Sequence, residues 1–291
     1  MIQKKELTIR YIRDRQCPSG GYCFYRLDEP NAGDTFHALA SLAMLDAFPD
    51  DDRATRRFLH SFQHPDGRFS NVSVGHAVLR SLMVLGERPR IDPTGWILSS
   101  LVPSGVGNRP VESSSLFEHQ YLLTGLCPLL GIAIPADKKD GIISSVLRYR
   151  NRDTGFGYPR STIIETGHAL AILAALDYPV SPAGSREFLQ QCEDPDYGFT
   201  AVPGSRPGYL EHVHAGVLAC SVLGYHAPVF AQCGDFIRKC CHANGGYVRS
   251  GFGGSATLEN TYLALDALAM IEYTGNNRSH REPDFTVRCC D

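Results

Sequence analysis

The sequence predicts an all-α fold built from six helical hairpins, and three observations carry that prediction. One apolar segment recurs six times, a glycine-rich turn precedes each copy, and an amphipathic segment precedes the turns.

The recurring segment reads "DTFHALASLAML" from Asp34, "SVGHAVLRSLMVLG" from Ser73, "EHQYLLTGLCPLLG" from Glu118, "ETGHALAILAAL" from Glu165, "EHVHAGVLACSVLG" from Glu211 and "ENTYLALDALAM" from Glu259. Its ring-bearing positions, His37, His76, Tyr121, His168, His214 and Tyr262, return about every 40 to 48 residues. The turns before the copies are "CPSGGY", "HPDGRF", "VPSGVG", "DTGFGY", "DPDYGF" and "HANGGY". Glycine there supplies the positive φ angles of a tight connection between helices. Segments such as "ATRRFLHSFQ", "GIISSVLRYR", "SREFLQQC" and "CGDFIRKC" place apolar residues at three- and four-residue steps and so read as the first helix of each hairpin. The second helix is small and apolar nearly all round, which places it inside, whereas the first carries arginines and acids on one face. No Pro/Ser-rich linker separates the copies, so residues 1–275 are expected to form one domain, followed by a polar tail over 276–291. The repeat alone leaves open whether six hairpins extend as a solenoid or close into a ring.

Composition narrows the class. With 43% hydrophobic residues in 291, the chain buries a substantial core. The 28 basic and 31 acidic residues are well mixed and give a net charge of −3, which offers no basic field for nucleic acid. The N-terminal stretch lacks the apolar centre of a signal peptide, and no apolar run reaches the roughly 18 residues of a membrane span, so the expected location is cytoplasmic. Most of the ten cysteines fall inside apolar segments, and the adjacent pairs Cys240-Cys241 and Cys289-Cys290 lack C-x-x-C spacing. Reduced core thiols fit that distribution better than disulfides or a zinc ribbon.

"QCPSGGY" from Gln16 and "QHPDGRF" from Gln63 match the Q-x-x-x-G-x-aromatic signature of the prenyltransferase and squalene cyclase repeats, and "VPSGVGNRP" followed by "YLLTGL" is similar to a stretch of geranylgeranyltransferase β subunits. On these motifs the chain resembles that family over residues 7 to 272, and the resemblance implies an α/α toroid around a central cavity. It also implies an isoprenoid diphosphate or other lipid-like substrate and admits a helical α-type partner subunit. Protein prenyltransferases of the family hold a catalytic zinc with an Asp and a Cys two residues apart and a His on a later helix. Here Ser115 and Phe117 stand at the first two positions and Glu259 at the third, so the standard triad is not matched. The D-x-D-D acid of the cyclases has no counterpart beyond "PDDD" at Pro49 to Asp52, which reads as a solvated charge run.

In five copies an acid lies three residues before the ring: Asp34 and His37, Glu118 and Tyr121, Glu165 and His168, Glu211 and His214, Glu259 and Tyr262. Residues three apart share a helix face, so each pair projects together. An acid in the first turn also serves as a cap, and an imidazole on an apolar helix also serves as a core residue; the pattern admits both readings. The densest set, Glu165, His168, Glu211, His212 and His214, together with Glu259 and Tyr262, are the candidate catalytic residues. Glu211, His214 and His168 are candidate ligands for zinc or another divalent metal. Arginines accompany the turns at Arg26, Arg68, Arg109, Arg160, Arg206 and Arg249. They suit a diphosphate at the rim or, alternatively, pair with Glu165, Glu211 and Glu259. Arg109, Arg160, Arg206 and Arg249 with Tyr121, Tyr158 and Tyr247 are the candidate substrate-binding residues. The expected activity is that of a prenyltransferase-like enzyme; the alternatives are a terpene-cyclase-like acid/base enzyme and a non-catalytic repeat protein or β-type subunit.

Overall fold

A computed structural model describes residues 2–24, 29–103, 105, 115–180 and 182–276. Among them are twelve helices in strict alternation. The odd-numbered ones are α1 (Ile2–Arg13), α3 (Asp52–His60), α5 (Thr94–Ser100), α7 (Ala136–Leu147), α9 (Pro182–Gln191) and α11 (Phe230–Lys239). The even-numbered ones, α2 (Ala32–Met44), α4 (Val72–Val84), α6 (Glu118–Leu129), α8 (Ile163–Ala175), α10 (Leu210–Val222) and α12 (Leu258–Asn276), are the six recurring apolar segments. No helix among the described residues is long and apolar enough to cross a membrane.

Contacts gather the chain into two compact units. Among the described residues the first draws on those up to 97 and on 240–266, the second on those within 98–239 and on 267–276. In the first unit α2 packs on α4, with Leu39, Leu42, Val78, Leu79 and Leu82 buried. In the second, α8 packs between α6 and α10 and buries Leu123, Leu170, Ile172, Val213 and Val217. Small residues set the spacing there, since a Cβ on Gly167 would stand 2.9 Å from the carbonyl oxygen of Ala215.

Helix starts are fixed by side chains that accept otherwise orphaned backbone N–H groups. Asn31 caps α2 by accepting from Asp34 N at 2.8 Å, Asn71 caps α4 by accepting from Val74 N at 2.8 Å, and Thr162 caps α8 by accepting from Glu165 N at 3.1 Å. The "PDDD" run is resolved in the same way. Asp51 caps α3 through Ala54 N at 2.8 Å, and Asp50 pairs with Arg13 at 3.1 Å.

The glycine turns contain a little β structure that helical periodicity does not predict. Gln16 bridges Tyr22, Arg150 bridges Phe156, Cys241 bridges Tyr247, and β1 (Glu193–Asp194) pairs antiparallel with β2 (Gly198–Phe199). Such a tight reversal satisfies its backbone groups across the turn. A threonine one turn into the following helix completes the device. Tyr22 N donates to Thr35 Oγ1 at 3.0 Å, Phe156 N to Thr166 Oγ1 at 3.0 Å, and Tyr247 N to Thr261 Oγ1 at 3.2 Å. The motif glutamines fasten successive hairpins. Gln16 donates to Asp51 O and Thr55 Oγ1 and accepts from Asp50 N, while Gln63 donates to Ile91 O and accepts from Ile91 N. Gly20, at φ +96°, lies so close to the next helix that a Cβ would stand 2.2 Å from the carbonyl carbon of Ala54.

Candidate functional site

Where the turns deliver each apolar helix, its ring-bearing residue projects from the half-buried face. In the second unit Tyr121 of α6 and His168 of α8 stack at 4.2 Å between centroids, nearly parallel at 8°. His214 of α10 lies near enough for its charge to disfavour protonation of His168, whose pKa is pushed down to about 3, mainly by burial. In the first unit His37 of α2 stacks on Tyr262 at 5.3 Å, and Phe36 touches His37, His76 and Tyr262 at 5.5, 5.5 and 5.3 Å. Burial lowers His37 to about 4. His76 falls to about 3 through burial, then the nearby Arg80 and His37. All three imidazoles are neutral at pH 7 and act as polar, polarisable walls rather than as bases.

The acids divide. Glu165 is buried, with only 3% of its surface exposed, and it accepts from Leu116 N and Thr162 Oγ1, each at 3.3 Å, as the third helical residue after the Thr162 cap. Asp34 holds the equivalent place in α2, accepting from Asn31 Nδ2 at 2.8 Å and Phe24 N at 3.1 Å. Glu211 stays half-buried on the same face of α10 as His214, and Glu259 is exposed. His212 is buried against Tyr209 at 5.4 Å and points away from His214, because residues two apart on a helix lie on nearly opposite sides.

The arginines of the turns are largely exposed. Arg206 is held by Asp194 and Asp196, both at 3.1 Å, and Arg68 by Asp66, so these guanidinium groups pair within their own turns and not with Glu165, Glu211 or Glu259. Asp194 raises the Arg206 pKa further. Arg160 and Arg249 are exposed, while Arg26 and Arg109 lie outside the described residues. Tyr158 is 55% exposed, and Tyr247 is built into its turn, with burial and the adjacent Cys241 and Cys240 pushing its pKa up to about 12. Tyr121 joins the His168 stack, whereas Tyr158 meets Tyr149 edge-on at 6.3 Å.

The side chains do not fit the zinc that the resemblance implied. Ser115 and Phe117 are fully buried, and the Ser115 hydroxyl accepts from Phe117 N at 3.1 Å. Among the described residues no three His, Cys, Asp or Glu side chains come together in a way that could hold a metal ion, so Glu211, His214 and His168 do not gather as a ligand set. A cavity of about 350 Å³ in the first unit is lined by Arg15, Phe24, His242 and Asn244 and includes none of the ring residues.

Two residues that the sequence reading passed over belong to the first cluster. Phe36 stands where the copies in α4 and α8 have Gly75 and Gly167, a departure visible in the repeat. Arg80 is the one basic residue of α4 and lies four residues beyond His76 on the same face, its guanidinium 5.5 Å from the Phe36 ring centre.

The family description that matches this arrangement is the prenyltransferase alpha-alpha toroid domain, aligned over residues 2–85 and 104–288. The chain belongs to that family. Its fold is therefore the α/α toroid of that family. Among solved toroids, protein geranylgeranyltransferase-I of Candida albicans in complex with GGPP superposes with a TM-score of 0.66 at 14% identity, over 92% of this chain and 91% of that one. The type II terpene cyclase MstE from Scytonema, in complex with geranylgeranyl dihydroxybenzoate, gives 0.59 at 9% identity, over 94% and 97%. ent-Copalyl diphosphate synthase from Streptomyces platensis gives 0.52 at 16% identity, over 90% of this chain and 54% of that one. No curated protein matches the chain by sequence. At these identities the likeness carries the toroid fold, which hosts prenyltransferases and terpene cyclases alike, and not the reaction.

Proposed function

We propose that this toroid protein is a prenyltransferase-like enzyme acting on an isoprenoid substrate. The observation that carries the reading is the set of ring walls on its apolar helices, Tyr121 stacked on His168 and Phe36 against His37, His76 and Tyr262. Neutral rings on the half-buried faces of these helices suit an unsaturated hydrocarbon chain and an electron-poor carbon developing on it. In prenyl transfer the bond between the allylic carbon and the diphosphate oxygen breaks, and the acceptor bonds to that carbon and gives up a proton. Glu211 and His214, three residues apart on α10, are the groups that take the proton in this reading. No step passes through a metal, in keeping with Ser115, Phe117 and Glu259 at the positions where relatives place ligands.

Calorimetric titration with farnesyl and geranylgeranyl diphosphate tests the proposal. Micromolar binding that weakens on Tyr121→Ala supports it, and absence of binding by both overturns it. Cyclisation is the second reading, favoured by the same loss of metal ligands. It is separated by product: prenyl transfer liberates inorganic diphosphate, whereas cyclisation started by protonation of a double bond leaves the diphosphate attached.

A further inference from the structure

Helix α4 carries a charge that its own packing does not explain. Arg80 is half-buried in a segment otherwise made of apolar and small residues with one histidine and two serines. Arginines are seldom held in such surroundings without a partner, because withdrawing a guanidinium from water is costly unless an anion or a set of acceptors replaces the water. Elsewhere in this chain the replacement is present. Arg13 pairs with Asp50, Arg56 with Glu87, Arg206 with Asp194 and Asp196, and Arg238 with Asp235. Among the described residues Arg80 has no carboxylate within ion-pair distance. Its contact is with the face of Phe36, 5.5 Å from the ring centre, which attracts the guanidinium but takes none of its N–H donors and does not neutralise its charge. His76, one turn earlier, is kept neutral and offers no compensating charge. The result is a fixed positive charge beside the ring wall formed by Phe36, His37, His76 and Tyr262.

We propose that Arg80 is the seat of the substrate's anionic head, binding a phosphate or carboxylate oxygen while the hydrocarbon attached to that head lies along the rings beside it. This rests on the isoprenoid reading and adds to it the residue that selects a charged head over a neutral one. A guanidinium is suited to the task, since its planar fork offers paired N–H donors to a phosphoryl or carboxylate group. Arg206, by contrast, is already neutralised by two carboxylates, and Arg160 is an exposed residue outside the ring clusters.

The test compares the full chain with Arg80→Gln and Arg80→Lys by calorimetry, using farnesyl diphosphate, farnesoic acid, farnesol and dodecyl phosphate as probes. Arg80→Gln is expected to weaken the anionic probe that the wild type prefers by about 10- to 100-fold and to leave farnesol unchanged, with Arg80→Lys between. Whether the diphosphate or the carboxylate shows the larger loss identifies the head. The melting temperature supplies a readout that a structural arginine would move the other way: removing an uncompensated charge is expected to hold or raise Tm, whereas breaking a structural contact lowers it. Equal affinity of wild type and Arg80→Gln for every anionic probe, or a fall in Tm without loss of binding, overturns the proposal. If farnesol binds and anions bind no tighter, the isoprenoid reading survives and the role of Arg80 fails. If dodecyl phosphate binds through Arg80 while every farnesyl compound fails, the isoprenoid reading fails and the anion seat stands. If no probe binds the wild type, both fail.

Discussion

Acid sensitivity follows from three imidazoles that the fold keeps neutral. His37, His76 and His168 are pushed from the ordinary 6.5 down to about 4, 3 and 3, chiefly by burial. Each folded value lies below the unfolded one, so between them the unfolded chain binds more protons and stability falls as pH falls. The loss begins near pH 6.5 and continues until the folded values are reached. From pH 7 to 5.5 each histidine costs about 1.2 kcal/mol, and the three together about 4 kcal/mol, a large fraction of a typical folding free energy. The window matters because carboxylates with lowered pKa, such as Glu87 beside Arg56, lose their contribution only at lower pH. Urea denaturation followed by circular dichroism at the two pH values should show the midpoint falling by about 1 M on acidification. In His76→Gln, which removes one of the three proton sites, the fall should shrink by about a third. A midpoint that stays constant between pH 7 and 5.5, or a His76→Gln variant with the full wild-type dependence, would refute the claim that these residues are neutral by burial.

Two further outcomes concern the turns. Gly20→Ala should cost about 3 kcal/mol or more in urea unfolding, because alanine at φ +96° is strained and its Cβ would collide with Ala54; a cost below 1 kcal/mol would show that the turn and α3 can separate freely. Thr166→Val should cost about 1–3 kcal/mol, since the volume is kept while the buried N–H of Phe156 loses its acceptor, and an unchanged midpoint would mean that another group takes it.

How far the sequence reveals this molecule depends on the range of the forces involved. The hairpins are legible because each is specified locally, by periodic apolar residues, a glycine turn and a cap, and the pattern is repeated six times. The cap on α8 is even readable as Thr162-x-x-Glu165. The charges are less legible because ion pairs depend on what lies within a few ångströms. The sequence left Arg206 a choice of distant partners, whereas Asp194 and Asp196, in the turn just before it, take it in the structure. Arg80 escaped notice for the converse reason. Inside a repeat dominated by its histidines and glycines, one charge at a helix position has no local signature, and only the absence of a partner around it gives it meaning.

The acid that opens the apolar helices α2, α8 and α10 is not one feature but two, separated by a single residue of register. In α2 and α8 the ring lies six residues after the cap, at His37 after Asn31 and His168 after Thr162, so the acid three residues before the ring falls on the third helical position. There it can turn back to the cap, and both Asp34 and Glu165 do so. In α10 the ring comes five residues after Tyr209, which puts Glu211 on the second position, places His212 on the third, and leaves the helix without a side-chain cap bond. One helical position is a rotation of about 100° about the axis, so in α10 the acid and its ring turn together relative to the cap while their own three-residue spacing is kept, and Glu211 no longer stands where Asp34 and Glu165 meet the cap. The two acids should therefore fail in different ways. Glu165→Ala is expected to cost about 2 kcal/mol of stability through the stranded Leu116 N–H and the lost acceptor for the Thr162 hydroxyl, the Thr162 cap on the backbone being kept. Glu211→Ala should, if α10 carries the acceptor's base, lower kcat about 100-fold or more with KM little changed, and Glu165→Ala should leave kcat within a few-fold of wild type at a temperature where it is folded. Equal loss of kcat in the two variants would mean that the shift in register has no consequence for the chemistry.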